Sequence, residues 1–194
     1  MECLFGLVGK DFVLLAADTL SIRSIAIMKH NQNKIKTLND HNLLAYAGEG
    51  GDTFVFAEYV QKNMQLYTIR NSLALPPRPT ASYTRRLLAD ALRTREAYQV
   101  NVLVGGFDTG EGRGKLFWID YLAAMAEVPF AAHGYGAYFC LSLMDRLYRP
   151  DMELEEAKEL LRKCIQELKV RFLVNFTGFT VKLVDKDGIR EVTL

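Results

Sequence analysis

Few residues of this chain have the chemistry to act on a substrate. They are a carboxylate and an amine near the start, three cysteines and three histidines. Asp18 ends the apolar run Phe12-Val13-Leu14-Leu15-Ala16-Ala17, and Lys34 lies in the polar stretch His30-Asn31-Gln32-Asn33-Lys34-Ile35-Lys36. A Ser-His-Asp triad has little to build on. His30, His41 and His133 stand in polar or glycine-flanked surroundings that read as loops, and no G-x-S-x-G elbow is present. Gly110, Gly112 and Gly114 fall between two strand-like runs instead of opening a helix, so they read as a flexible turn and not a phosphate loop. Cys3, Cys140 and Cys164 form no C-x-x-C pair and have no histidine cluster beside them. They suit buried, reduced thiols of a cytosolic or nuclear protein, with neither metal nor cofactor expected.

Those candidates sit in a chain of ordinary globular composition. Of 194 residues, 49% are hydrophobic and 24% charged, and the formal charge is +1. That balance argues against long disorder and against a polyanion-binding surface, so no nucleic acid partner is expected. No segment supplies the ~18–20 consecutive apolar residues of a membrane span. A signal peptide is not expected either, because Glu2 comes early and Lys10-Asp11 break the apolar run. A propeptide is likewise not expected.

The elements that must position the candidates follow from periodicity. Strand-like runs cover 3–9 and 12–18, turning at Gly9-Lys10-Asp11, then 25–28, 34–38 and 42–47. Asp52 reads as the N-cap of a helix over 53–71. Pro76-Pro77-Arg78-Pro79 reads as an extended connector before a second helix over 82–95. Strands over 100–107, 115–120 and 123–128 come next, then helices over 137–148 and 154–174, and strands over 179–185 and 189–194. Strands, two helices, strands, two helices, strands predicts an α+β fold. We expect a four-layer αββα sandwich of two mainly antiparallel sheets, in a single domain spanning 1–194.

Several stretches, in order over nearly the whole chain, resemble a proteasome β subunit, a member of the N-terminal-nucleophile hydrolases. They are Ala16-Ala17-Asp18, Ala47-Gly48-Glu49-Gly50-Gly51-Asp52-Thr53, Tyr83-Thr84-Arg85-Arg86-Leu87-Leu88-Ala89-Asp90, Ile119 through Ala126, and Pro129 through Ala137. Within the family the similarity is greatest to a non-catalytic class at the fourth position of the β ring. Active members begin, after processing, with a nucleophilic threonine, followed sixteen residues later by an aspartate and thirty-two later by a lysine. Counting back from Asp18 and from Lys34 reaches Glu2 both times, and glutamate has no hydroxyl or thiol to attack a carbonyl. The family's Gly-Ser-Gly serine falls on Tyr135. Its later aspartate and serine fall near Phe172 and Asn175.

The resemblance therefore implies no catalytic residue, only the frame of a vestigial site: Glu2, Asp18, Lys34 and Tyr135. Asp18 and Lys34 would persist as a buried pair that satisfies itself. The implied role is structural, in ATP- and ubiquitin-dependent protein degradation in cytoplasm and nucleus. The implied partners are the other β subunits of the ring, the α-ring subunits and the opposing β ring. Tyr121, Trp118 and the run from Tyr135 to Phe139 are candidate contacts. The rival is a stand-alone amidohydrolase using Cys3 after loss of Met1 and Glu2. Cys3 lies one residue off the family spacing, and on a strand that turns a side chain to the opposite face.

Overall fold

A computed structural model describes residues 2–194. Strands β1 (Cys3–Val8) and β2 (Phe12–Asp18) form the opening hairpin. A small hairpin follows, β3 (Ser21–Arg23) with β4 (Ala26–Lys29), and then β5 (Ile35–Asn39) and β6 (Asn42–Gly48). Helices α1 (Gly50–Asn71) and α2 (Pro77–Ala91) lead to β7 (Val100–Asp108), β8 (Arg113–Ile119), β9 (Met125–Glu127) and β10 (Phe130–Gly134). Helices α3 (Tyr135–Leu147) and α4 (Leu154–Arg171) precede β11 (Phe179–Asp185) and β12 (Gly188–Glu191).

Two five-stranded antiparallel sheets result, ordered β10-β1-β2-β11-β12 and β5-β6-β7-β8-β9. Side-chain alternation explains why each sheet needs two partners. Strand β2 sends Phe12, Leu14 and Ala16 into the core under α3 and α4, and Val13, Leu15 and Ala17 toward the other sheet. Strand β7 sends Val100, Val102 and Val104 under α1 and α2, and Leu103 and Phe107 to the face between the sheets. Helix pair, sheet, sheet, helix pair is the four-layer αββα arrangement that the element order predicts.

Four local expectations need correction. The proline run does not stay extended: Pro77 is the first residue of α2, with Pro76 as its N-cap. The first helical N–H groups have no intrahelical acceptor, so prolines there sacrifice no bond. Asp52 is not a cap either. Helix α1 starts earlier, after Glu49, and the Asp52 carboxylate accepts the Gln99 N–H at 2.9 Å. Residues 130–134, for which the sequence predicts no strand, form β10, which leaves the second sheet to pair with β1. The glycine-bearing turn after β7 is tied and not free, since the Asp108 carboxylate accepts the Gly110 and Glu111 N–H groups and the Lys115 amine. Glu155 and Glu156 in the first turn of α4, and Lys169 and Arg171 in its last, stand as the macrodipole favours.

The sheets meet closely at Gly6, where an added Cβ would lie 2.9 Å from a methyl of Leu116 on the facing sheet. Leu116→Ala should therefore open a cavity between the sheets and cost ~3 kcal/mol in urea unfolding. Adding Gly6→Ala should recover part of that loss, because the new methyl enters the vacated space.

Candidate functional site at the head of the first strand

Strand β2 ends on Asp18 beside the start of β1, and the chain returns to the same spot at Lys34, just before β5. Both side chains are fully buried. Asp18 organises the cluster. Its Oδ1 accepts the Cys3 N–H at 2.8 Å, and its Oδ2 accepts the Leu20 N–H at 3.1 Å and the Lys34 amine at 2.8 Å. Each donor ties a different segment to one carboxylate, and a carboxylate with several donors offsets the cost of its own burial.

Glu2 completes the cluster from the head of β1. Its Oε1 lies 3.3 Å from Lys34 Nζ, and its Oε2 accepts the Gly48 N–H at 2.7 Å. Its backbone carbonyl accepts the Tyr135 N–H at 3.0 Å. Two glycines make room for these contacts. At Gly134 (φ +72°) a Cβ would lie 2.1 Å from the Glu2 carbonyl oxygen, and at Gly48 (φ +148°) 2.1 Å from the Gln99 carbonyl oxygen. The Glu2 side chain remains 18% exposed, so this is the face of the cluster that meets solvent.

The structure thus joins Glu2, Asp18 and Lys34 through their side chains, and Tyr135 only through its backbone. The Tyr135 ring turns instead to stack on Phe172 (centroids 5.6 Å apart), which stacks in turn on Phe176. Asn175 is exposed in the segment after α4. The part missing from the sequence reading is the Gly48 N–H. The glycine at a strand-to-helix step was its signal, but a backbone donor carries no side chain to flag it.

An ammonium and an N–H around a carboxylate can hold an anion; they cannot by themselves attack a carbonyl. Cys3 does not supply the missing nucleophile. It packs with Phe5 and Leu7 on the helix side of β1, where a Cβ at Gly136 would lie 3.0 Å from its Sγ. Burial, and then Asp18, push its thiol up to about 12, so it stays protonated at neutral pH.

His133 is a correction. It is buried on β10, its ring stacked on Trp118 with centroids 5.1 Å apart, and its Nε2 lies 3.2 Å from the Val102 carbonyl oxygen. Alternation along β10 turns it inward, which its glycine neighbour hides from a local reading. Burial pulls its pKa down to about 4, against carbonyl contacts that favour the charged form. Among the described residues, no group of three or more His, Cys, Asp or Glu side chains is placed to hold a metal ion.

Two measurements probe these groups. Lys34→Met strands Asp18 as an uncompensated buried charge and should cost ~3–5 kcal/mol in urea unfolding. The double variant Asp18→Asn, Lys34→Met should cost less than Lys34→Met alone. For His133 the folded pKa lies below the unfolded value of 6.5, so acid favours the unfolded chain. The stability held by the neutral ring is complete above ~6.5 and is lost as pH falls toward ~4, by up to ~3 kcal/mol. His133→Gln should flatten the pH dependence of the unfolding midpoint across that window.

Comparison with known proteins places this geometry. Residues 2–184 match the proteasome subunit family. The chain is 48% identical to a probable proteasome subunit beta type-4 of Schizosaccharomyces pombe, over the full length of both. It is 45% identical to the proteasome subunit beta type-4 of Saccharomyces cerevisiae, covering 99% of this chain and 97% of that one. It is also 48% identical to the proteasome subunit beta type-2 of Oryza sativa subsp. japonica, covering 98% of this chain and 89% of that one. With the αββα sandwich and the Asp18–Lys34 pair at the head of its first strand, this chain belongs to the proteasome subunit family.

Proposed function

We propose that the chain is a non-catalytic β subunit of the proteasome core particle, walling the chamber where other subunits cut. One observation carries this reading. The position where an active relative would present its nucleophile holds Glu2, and the Glu2 carboxylate occupies both Lys34 and the Gly48 N–H. Those groups are therefore unavailable to a substrate. On this reading the frame of Glu2, Asp18, Lys34 and Tyr135 is vestigial: it braces the head of β1 and moves no proton.

The surface supports assembly. Ile25 is wholly exposed, Leu173 89%, Tyr138 85% and Ile69 77%. Apolar side chains so open to water suit a molecule that works inside a larger particle. Of the aromatic candidates, Tyr121, Tyr135 and Tyr138 are exposed, whereas Trp118 stacks on His133 and Phe139 packs on Phe172. With the chain itself at the fourth position of the β ring, the proposed partners are the other β subunits of that ring, the α-ring subunits and the opposing β ring. The proposed setting is cytoplasm and nucleus, where three buried thiols stay reduced.

The test is the native mass of the particle recovered with the C-terminally tagged chain. A very large complex with six other β-type and seven α-type subunits is the expected result. A monomer or a small homo-oligomer, with an intact mass beginning at Cys3, would overturn the proposal in favour of the thiol enzyme.

A further inference from the structure

We infer that Lys34 Nζ and the Gly48 N–H form a carboxylate-binding site, which the chain keeps filled with its own Glu2 as an internal plug. The reading that this subunit lines a proteolytic chamber supplies the natural competitor, the terminal carboxylate that each cut leaves on a peptide.

Three features of the geometry make the site specific for a negatively charged planar group. First, the two Glu2 oxygens are used separately: one lies 3.3 Å from the amine and the other 2.7 Å from the backbone nitrogen, so the pair of donors spans a single carboxylate. Second, the amine is shared. Lys34 Nζ lies 2.8 Å from Asp18 and 3.3 Å from Glu2, so one ammonium faces two carboxylates, and the Gly48 N–H at the end of β6 gives the other Glu2 oxygen a donor of its own. Third, the donors cannot turn elsewhere. Lys34 is fully buried, and the Gly48 backbone is fixed where a Cβ would strike the Gln99 carbonyl. Removing Glu2 leaves the Gly48 N–H without its acceptor and Lys34 with Asp18 alone, on the side where Glu2 is 18% exposed.

No bond is made or broken in this exchange; one carboxylate replaces another. Glu2 therefore does more than lack a nucleophilic atom. It denies the pocket to peptide products that would otherwise lodge at an unproductive wall position.

The experiment uses the assembled particle carrying Glu2→Ala, with retention of the first residue verified by intact mass, and sodium acetate as the probe. A structure of that particle in acetate should show planar density bridging Lys34 Nζ and the Gly48 nitrogen. The density should be lost in acetamide and lost in Glu2→Ala combined with Lys34→Met. The native chain in acetate should show only its own Glu2 there. Water alone at the position, or Lys34 moved wholly onto Asp18, overturns the inference. Glu2→Gln gives an arm that keeps the native shape. Acetate should displace the neutral amide from the two donors, and an amide that stays seated would show that shape alone, not charge, fills the pocket. Recovery of these variants in the particle tests the structural role separately, so a failure of acetate binding there leaves that role standing.

Discussion

The head of the first strand depends on one carboxylate with nowhere to go. Asp18 is sealed from water, and an ionised carboxylate in such a place survives only if every side of it meets a donor. The Cys3 N–H, the Leu20 N–H and the Lys34 amine provide those donors, and each belongs to a different stretch of chain. The order of the fold follows from that demand. Strand β1 must lie beside the end of β2, the chain must bend at Leu20, and β5 must begin where Lys34 can reach across. Gly48 then closes on the Glu2 carboxylate from β6 and Tyr135 on the Glu2 backbone carbonyl from α3, so five segments converge on Asp18 and Glu2.

That convergence works because the sheets beneath it are held in register by packing. Strand β2 is buried along its whole length, one face on the helices and the other on the opposite sheet. A slip of one residue would exchange its two apolar faces and carry Asp18 away from both Cys3 and Lys34. Close contact between the sheets, allowed by the absent side chain at Gly6, makes the second sheet a rigid backing for the first. The polar cluster therefore sits at the edge of a closely packed interior and inherits its precision from it.

The parts of this arrangement that sequence revealed are those whose cause is local or carried by side chains. The apolar runs 3–9 and 12–18 on either side of Gly9-Lys10-Asp11 announced the hairpin, the element order announced the layers, and the spacing of Asp18 and Lys34 marked them through the family resemblance. What stayed hidden depended on partners distant in the chain. Pro77 looks like a helix breaker until its place in the first turn is known. Residues 130–134 look like a loop between Pro129 and Gly134 until β1 is there to pair with them. His133 looks exposed for the same reason. The Gly48 N–H left only the trace of a glycine at a strand-to-helix step, because every residue has such a group and only the positive-φ turn aims this one at Glu2.

The energetics explain why the buried pair is retained whatever stands at position 2. Losing Lys34 alone strands Asp18, and losing Asp18 alone strands the amine and three segments of backbone, so each single step is strongly unfavourable. Only a simultaneous exchange for apolar side chains of matching volume escapes that penalty. Replacing the residue at position 2 carries a smaller barrier, since its side chain is partly solvated and its loss strands no buried charge, only the Gly48 N–H. A frame of this kind therefore constrains its interior far more than its mouth. Glu2 shows the consequence: the donors persist because Asp18 and the backbone fix them, and the residue at the opening has become the group that occupies them.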